Sequence, residues 1–334
     1  MTQMWGCWGC QSGVTDDAEK MNTDEGKLPA AGPMLDMTST RMDGAATGEM
    51  ALPRYPLVPV PMEHTTCYGH GTRRGPQAML AAQLQIEEWD EECGDHYLAH
   101  LDYAEPIPCP DLERSLANIE EAAAALFADR AIVPVFLGGE HSITPPIIRG
   151  LARTLAPEER LGVIFFDAHG DLRDSYEGTP DSHACAARRV RELAIGPVQQ
   201  IGLRSYSREE VLWARERGIT LYPPCTPDTI GVDPRSLLAG ATRWYVSIDL
   251  DALDPSECPA VGTPEPGGLR YRELLSWIDA VCRDVQVCGF DIVELAPRPE
   301  LVYADAIAAR VMLKCVNYHL RAYQGLAAAR ALAE

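Results

Sequence analysis

From residue 52 onward, short apolar runs of strand length alternate with longer segments of helical character. Runs that stay hydrophobic at successive positions suit strands buried on both faces, and their alternation with helices is the mark of a parallel sheet covered on both sides. The pattern predicts strands at 57–61, 99–102, 131–136, 161–166, 198–201, 219–222, 244–248 and 285–290. Between them it predicts helices at 76–89, 111–128, 185–194, 208–217, 271–282 and 305–333, several ending near Gly or Pro. Eight runs imply one large, mostly parallel sheet. No linker rich in Pro, Gly or Ser and no internal repeat divides the region, so 51–334 reads as one α/β domain.

The first 50 residues have another texture. They hold seven of the ten methionines and eight acidic residues, with neither helical nor strand periodicity. Such a segment cannot bury an apolar face and reads as a disordered acidic N-terminal extension over 1–50. It contains no basic stretch followed by an apolar run, which argues against a secretory signal, and its acidity argues against a transit peptide. Cys7 and Cys10 lie here at redox or metal spacing, but without a second pair or a following βαβ unit they read as part of the tail.

Charge narrows the partners. With 49 acidic against 29 basic residues the net charge is −20, a field that repels phosphate backbones and anionic headgroups. Nucleic acid and membrane surfaces are therefore not expected as partners. Uncharged stretches such as 131–139 reach only about half of the ~20 apolar residues that a membrane-spanning helix needs. The eleven cysteines are odd in number and mostly scattered singly in apolar stretches, as at Cys282, Cys288 and Cys315. That usage suits reduced core thiols in a cytoplasmic protein.

Three predicted strand ends hold nearly all the unusual polar residues. The run at 161–166 delivers Asp167-Ala-His169-Gly-Asp171, and the run at 244–248 delivers Asp249-Leu-Asp251 and then Asp254. Positions two apart in extended backbone point the same way, so each set of donors can converge on one spot. The run at 131–136 leads into Gly138-Gly139-Glu140-His141, whose glycines permit a tight turn. In open α/β sheets, ligands bind beyond the carboxyl ends of the strands. Each residue alone is commonplace, as a turn former, a cap or a hydrogen-bonded core histidine. Together, four aspartates and two histidines cannot be packed closely without a cation, because buried carboxylates repel and would take up protons. Mixed imidazole and carboxylate donors suit a divalent ion such as Mn²⁺, and six donors exceed one tetrahedral site but serve two ions that share carboxylates.

The stretches Gly-Gly-Glu-His-Ser at 138–142, Phe-Asp-Ala-His-Gly-Asp at 166–171 and Ser-Ile-Asp-Leu-Asp-Ala-Leu-Asp-Pro at 247–255, followed by Gly-Thr-Pro at 262–264, resemble the three signature motifs of the ureohydrolases, the family of arginases and agmatinases. The resemblance runs from about Tyr55 to the C-terminus and includes Gly-Thr-Arg-Arg-Gly-Pro at 71–76 and Gly-Phe-Asp-Ile-Val-Glu at 289–294. It implies a three-layer α/β/α arginase-like fold with a central eight-stranded sheet, two Mn²⁺ per subunit, and a homotrimer or homohexamer. It also implies His141 and Asp171 on one ion, His169 and Asp251 on the other, and Asp167 and Asp249 bridging them. His183 matches a histidine that shuttles protons near the leaving amine, and Glu294 matches a glutamate that pairs with the substrate guanidinium. The chemistry implied is hydrolysis of a small guanidino compound by a metal-bridging hydroxide, releasing urea and an amine.

Departures from the arginase pattern bear on the substrate. The Ser- and Asn-rich loop and the aspartate with which arginases meet the amino-acid end of arginine are absent from 172–181 and from 201–207. The stretch 182–189 resembles the agmatinase branch, so agmatine, giving putrescine and urea, is the expected substrate. Guanidinobutyrate, guanidine, arginine or formimidoylglutamate are the alternatives within the same chemistry, and a non-catalytic metal-binding paralogue is the remote one. Asp174, Glu177 and Asp181 are candidates to meet the ammonium of agmatine. Arg173 either faces an anionic substrate group or makes a surface or intersubunit ion pair.

Overall fold

Strands β4 (Leu161–Phe166) and β6 (Arg243–Asp249) are buried at every position, as strands must be when helices cover both faces of their sheet. The structure is a computed structural model that describes residues 52–94 and 100–331. The extension predicted at 1–50, with Cys7 and Cys10, lies outside the described residues. The other strands are β1 (Tyr55–Val60), β2 (Leu101–Tyr103), β3 (Val135–Gly138), β5 (Val198–Ile201) and β7 (Val287–Val293). They pair in the order β2-β1-β3-β7-β6-β4-β5, and every pairing is parallel.

One face of the sheet carries α1 (Gly75–Gln83), α7 (Tyr271–Asp284) and α8 (Val302–Ala331). Met79, Leu274, Trp277, Ile278 and Met312 pack there. The other face carries α2 (Leu112–Ala128), α3 (Thr144–Ala152) and α4 (Ala186–Glu192), which supply Ile119, Phe127, Ile147, Leu151 and Val190 to a second core cluster. This is the three-layer architecture expected. Two helices begin as their sequences dictate. The Asp111 carboxylate caps α2 by accepting the Arg114 N–H at 2.9 Å, and Ser207 and Glu210 form a capping box at the start of α5 (Arg208–Glu216). A short α6 (Pro234–Leu237) precedes β6.

Two expectations are corrected. The sheet has seven strands among the described residues, not eight. The run at 219–222 makes only one parallel bridge, between Ile201 and Tyr222, with the Tyr222 carbonyl accepting the Gly202 and Leu203 N–H groups. Pro223 and Pro224 follow at once and have no N–H with which to continue a ladder. Conversely, no helix is predicted over α3, a nine-residue element buried at nearly every position, because so short an apolar run is ambiguous between helix and strand. Its Pro145 and Pro146 sit in the first turn, where a missing N–H costs nothing.

What positions the site is the centre of the sheet. The strands β3, β7, β6 and β4 lie side by side and run the same way, so their carboxyl ends emerge at one edge. Phe166 of β4 is level with Ile248 of β6, and Asp249 is level with Val293 of β7. The next residue of the first chain, Asp167, therefore stands beside Asp249.

Candidate metal centre

Beyond β4 and β6 the backbone curls in the same manner twice. The His169 N–H donates to Asp167 Oδ1 at 2.6 Å, and the Asp251 N–H donates to Asp249 Oδ1 at 2.8 Å. The Ala168 N–H donates to Asp251 Oδ1 at 3.0 Å and ties the two loops together. Each carboxylate thus has one oxygen held by backbone and the other left to face the centre. Oδ2 of Asp167, Asp171 and Asp249 lie 3.3, 3.3 and 3.2 Å from a single atom, Nδ1 of His141. On the other side of Asp167, His169 Nδ1 lies 2.8 Å from Asp251 Oδ2 and 3.8 Å from Asp167 Oδ1. The donors form two groups sharing Asp167: His141, Asp167 and Asp249, and Asp167, His169 and Asp251.

His141 reaches this point because the chain turns sharply after β3. A Cβ on Gly139 would stand 1.9 Å from the Met62 carbonyl oxygen, so only glycine permits the approach. The far nitrogen of His141, Nε2, is 2.9 Å from Ser247 Oγ, and Ser247 donates to Asp291 Oδ1 at 2.7 Å. Thr144 Oγ1 donates to the other oxygen of Asp291 at 2.9 Å. A serine whose only proton goes to a carboxylate must accept from Nε2–H, and Nδ1 of the neutral ring then presents a lone pair to the centre.

A lone pair pointed at three carboxylate oxygens is tolerable only with positive charge between them. His141 Nδ1 and Asp167 Oδ2 are buried without a hydrogen-bond partner. Their spacing matches adjacent donors of an octahedral ion, roughly 3 Å apart for bonds of about 2.1 Å. Burial, then the charge of Asp171, pushes the Asp167 carboxyl up to about 7; burial and Asp251 push Asp249 well above the usual range. Burial lowers His141 and His169, but neighbouring carboxylates outweigh it, raising His141 well above its ordinary value and His169 to about 11. In Asp251 burial is outweighed by His169, leaving it at about 2. Such opposed shifts mark a site that calls for positive charge, and the donor set fits a pair of divalent ions.

Above the donors lies a cavity of about 310 Å³, into which Glu294 and His183 also project. Glu294 Oε1 accepts the His141 backbone N–H at 2.7 Å. Burial, then Glu140, pushes its carboxyl up to about 8. Both Glu294 and Asp171 have left-handed backbone, φ 66° and 47°, a conformation costly for a side-chain-bearing residue and concentrated at functional sites. His183 sits at the cavity wall, with Nδ1 3.1 Å from Thr65 Oγ1 and Nε2 3.7 Å from Cys67 Sγ.

The far end of the cavity differs from expectation. None of Asp174, Glu177 and Asp181 lines it. Asp174 is instead held by Arg188 and Arg189 at 2.9 and 3.2 Å. Arg173 does line the cavity, with its guanidinium 5.0 Å from the Tyr176 ring centroid. Glu210 lines it too, both oxygens engaged by the Leu172 and Ser207 N–H groups.

A model of the arginase family matches residues 54–317. The chain belongs to the arginase family. Among members of this family, an agmatinase of Bacillus cereus is 37% identical over 273 residues, covering 77% of this chain and 91% of that protein. An N(1)-aminopropylagmatine ureohydrolase of a Synechocystis species is 34% identical over 273 residues, 78% of this chain and 88% of that one. The solved agmatine ureohydrolase of Thermoplasma volcanium superposes with a TM-score of 0.72 at 29% identity, covering 82% of this chain and 92% of its own.

The structure adds residues that motif reading passed over. Glu140 and Ser247 lie inside quoted motifs, yet their partners, Thr65 and Asp291, are distant in sequence. Arg204 donates from Nη2 to the carbonyls of Asp251 and Glu265, both at 2.7 Å, buttressing the loop behind the donors. Its place in the Ile-Gly-Leu-Arg turn at 201–204 was the available signal.

Proposed function

We propose that this protein is a binuclear divalent-metal amidinohydrolase that cleaves agmatine to putrescine and urea. The observation that carries the reading is the convergence of five donors in two groups, with Asp171 Oδ2 3.3 Å from His141 Nδ1, around two unpartnered buried atoms, His141 Nδ1 and Asp167 Oδ2, beneath a cavity that also holds Glu294 and His183. His141 and Asp171 would hold one ion, His169 and Asp251 the other, and Asp167 and Asp249 both. Manganese suits these imidazole and carboxylate donors. When bound, such a pair supplies Lewis acidity and brings the ionisation of water toward neutral pH.

The chain's own residues do the rest. The guanidinium of the substrate is planar and carries a fork of N–H groups, which the Glu294 carboxylate accepts. Arrival of that cation favours the ionised form of a carboxyl that burial otherwise keeps protonated up to about pH 8. The net reaction adds water across the carbon–nitrogen bond to the alkyl chain, giving urea and an ammonium. His183 holds the proton that the departing amine nitrogen must gain, a task suited to imidazole. Agmatine is favoured for the far end because its ammonium is drawn by the net charge of −20, and because the similar relatives above act on agmatine or its aminopropyl derivative.

A second reading rests on Arg173. No carboxylate among the described residues pairs with its guanidinium, and it lines the cavity, so a guanidino acid such as guanidinobutyrate would find a cation there. Urea release from a panel of guanidino compounds, with metal analysis of the same preparation, tests both. Two manganese ions per chain and turnover of agmatine are expected. Absence of urea from every guanidino compound, with metal bound, would mean a non-catalytic protein.

A further inference from the structure

His183 is oriented by a chain of side chains that no motif announces. The Thr65 hydroxyl lies 2.9 Å from Glu140 Oε1, 3.1 Å from His183 Nδ1 and 3.0 Å from the His183 backbone nitrogen. It has one proton to give and two lone pairs to offer. Glu140 is fully buried and its oxygens face only donors: the His64 and Thr65 N–H groups at 2.8 and 2.7 Å on Oε2, and the Thr65 and Ser142 hydroxyls on Oε1. A buried carboxylate is a stronger acceptor than a neutral imidazole nitrogen, so the Thr65 proton goes to Glu140. Thr65 Oγ1 must then accept from both His183 groups. Among the described residues, Ser182 Oγ, at 3.4 Å, is the only other hydroxyl near Nδ1, and Tyr176 meets the ring edge to face at 5.9 Å.

We infer that Thr65, backed by Glu140, is the positioning residue that holds His183 in the Nδ1–H tautomer, so that the Nε2 lone pair faces the cavity. The inference rests on the reading of His183 as the proton carrier, and gives that role a direction. Nε2 is the atom that takes up a proton and delivers it, while Nδ1–H keeps its bond to Thr65 through both states. A positive charge on the ring is then met by the Glu140 carboxylate through one hydroxyl. Hydrolases that hold a catalytic imidazole in the wrong tautomer lose orders of magnitude in rate with little change in geometry.

The test is ¹⁵N NMR of the full-length protein labelled at histidine, with the His183 signals identified by their loss in His183→Gln. In the wild type, Nδ1 should appear as the protonated nitrogen and Nε2 as the unprotonated one. Thr65→Val should convert His183 to the other tautomer or a mixture and lower kcat about tenfold or more, with KM within about twofold. Thr65→Ser, which keeps the hydroxyl, should retain both the tautomer and kcat to within about threefold. A wild-type His183 protonated at Nε2, or an unchanged tautomer in Thr65→Val, overturns the inference; should Thr65→Val not fold, the wild-type tautomer decides. If instead His183→Gln keeps full activity while the tautomer is as stated, the positioning stands and the proton-carrying role of His183 falls.

Discussion

The backbone N–H of His141 and the carboxylate of Glu294, 153 positions apart, are joined by a hydrogen bond of 2.7 Å. The donor belongs to the turn after β3 and the acceptor to the end of β7, neighbouring strands of the sheet. The bond locks the residue proposed to meet the substrate to a residue proposed to hold metal. It also gives Glu294→Gln and Glu294→Ala different meanings. The amide oxygen of Gln can still accept from His141, so Glu294→Gln should keep metal content while losing the charge that faces the guanidinium. A hydrogen bond to a charged group is worth about 1.5–3 kcal/mol, so kcat/KM should fall roughly ten- to a hundredfold. Glu294→Ala leaves the buried N–H unpaired and should lower metal content as well. Metal lost equally in both variants would show that the carboxylate acts on the centre and not on the substrate.

Much of this arrangement is legible in the sequence, for a physical reason. Donors at two-residue spacing straight after two buried strands mark one shared strand-end position, so Asp167, His169, Asp171, Asp249 and Asp251 are legible as a group, although they converge through a tight turn after β6 and a left-handed Asp171 and not through extended backbone. The partners of those donors are not legible in this way. Ser247 finds Asp291, and Glu140 finds Thr65, through the adjacency of strands β6 and β7 and of β1 and β3, and strand order is not written in local pattern. The three candidate ammonium partners, Asp174, Glu177 and Asp181, do not line the cavity, because net charge says nothing of local pairing such as that of Arg188 and Arg189, which already hold Asp174.

Ser247 and Asp291 would act on a bound metal through His141, whose ring Ser247 holds. Removing the Ser247 hydroxyl frees Nε2 and lets the ring take the wrong tautomer, and loss of such supporting hydrogen bonds typically costs 10- to 100-fold in metal affinity or activity. Ser247→Ala should therefore weaken manganese binding by about that factor while the fold persists. Titration of the metal-stripped protein with Mn²⁺ measures it, and an unchanged affinity would remove Ser247 and Asp291 from any part in the centre.

With Asp167 as the proposed shared ligand, protons and metal would compete for it, and pH would set the balance. Its carboxyl lies at about 7 in the folded chain against an ordinary 3.8, so folding favours the protonated form. That stabilisation is complete below about pH 4 and is lost as pH rises through about 7. Metal binding needs the ionised form. Added Mn²⁺ should therefore raise the Tm of the stripped protein more at pH 8 than at pH 6. In Asp167→Asn, the proposed shared ligand is neutral at both pH values, and the difference should shrink along with the affinity. Differential scanning calorimetry at the two pH values checks this, and an equal metal increment in the wild type would sink the assignment.

On the proposed reading the far end of the substrate decides selectivity, since any guanidino compound would present the same group to Glu294 and the donors. Arginine brings an α-carboxylate, and the chain lacks the polar loop with which arginases receive it. An unpaired charge in a confined site is costly. Agmatine brings an ammonium into a protein of net charge −20, although Glu210, a carboxylate that lines the cavity, is already engaged by two backbone N–H groups. Agmatine should exceed arginine in kcat/KM by at least tenfold, about 1.4 kcal/mol of differential binding. Arg173, over the face of Tyr176, is the cation that could reverse this order for guanidino acids. In Arg173→Met, agmatine turnover should hold or improve, because a like charge near the ammonium is gone. Preference for guanidinobutyrate in the wild type, lost in Arg173→Met, would transfer the enzyme to the second reading and make Arg173 the residue that selects the substrate.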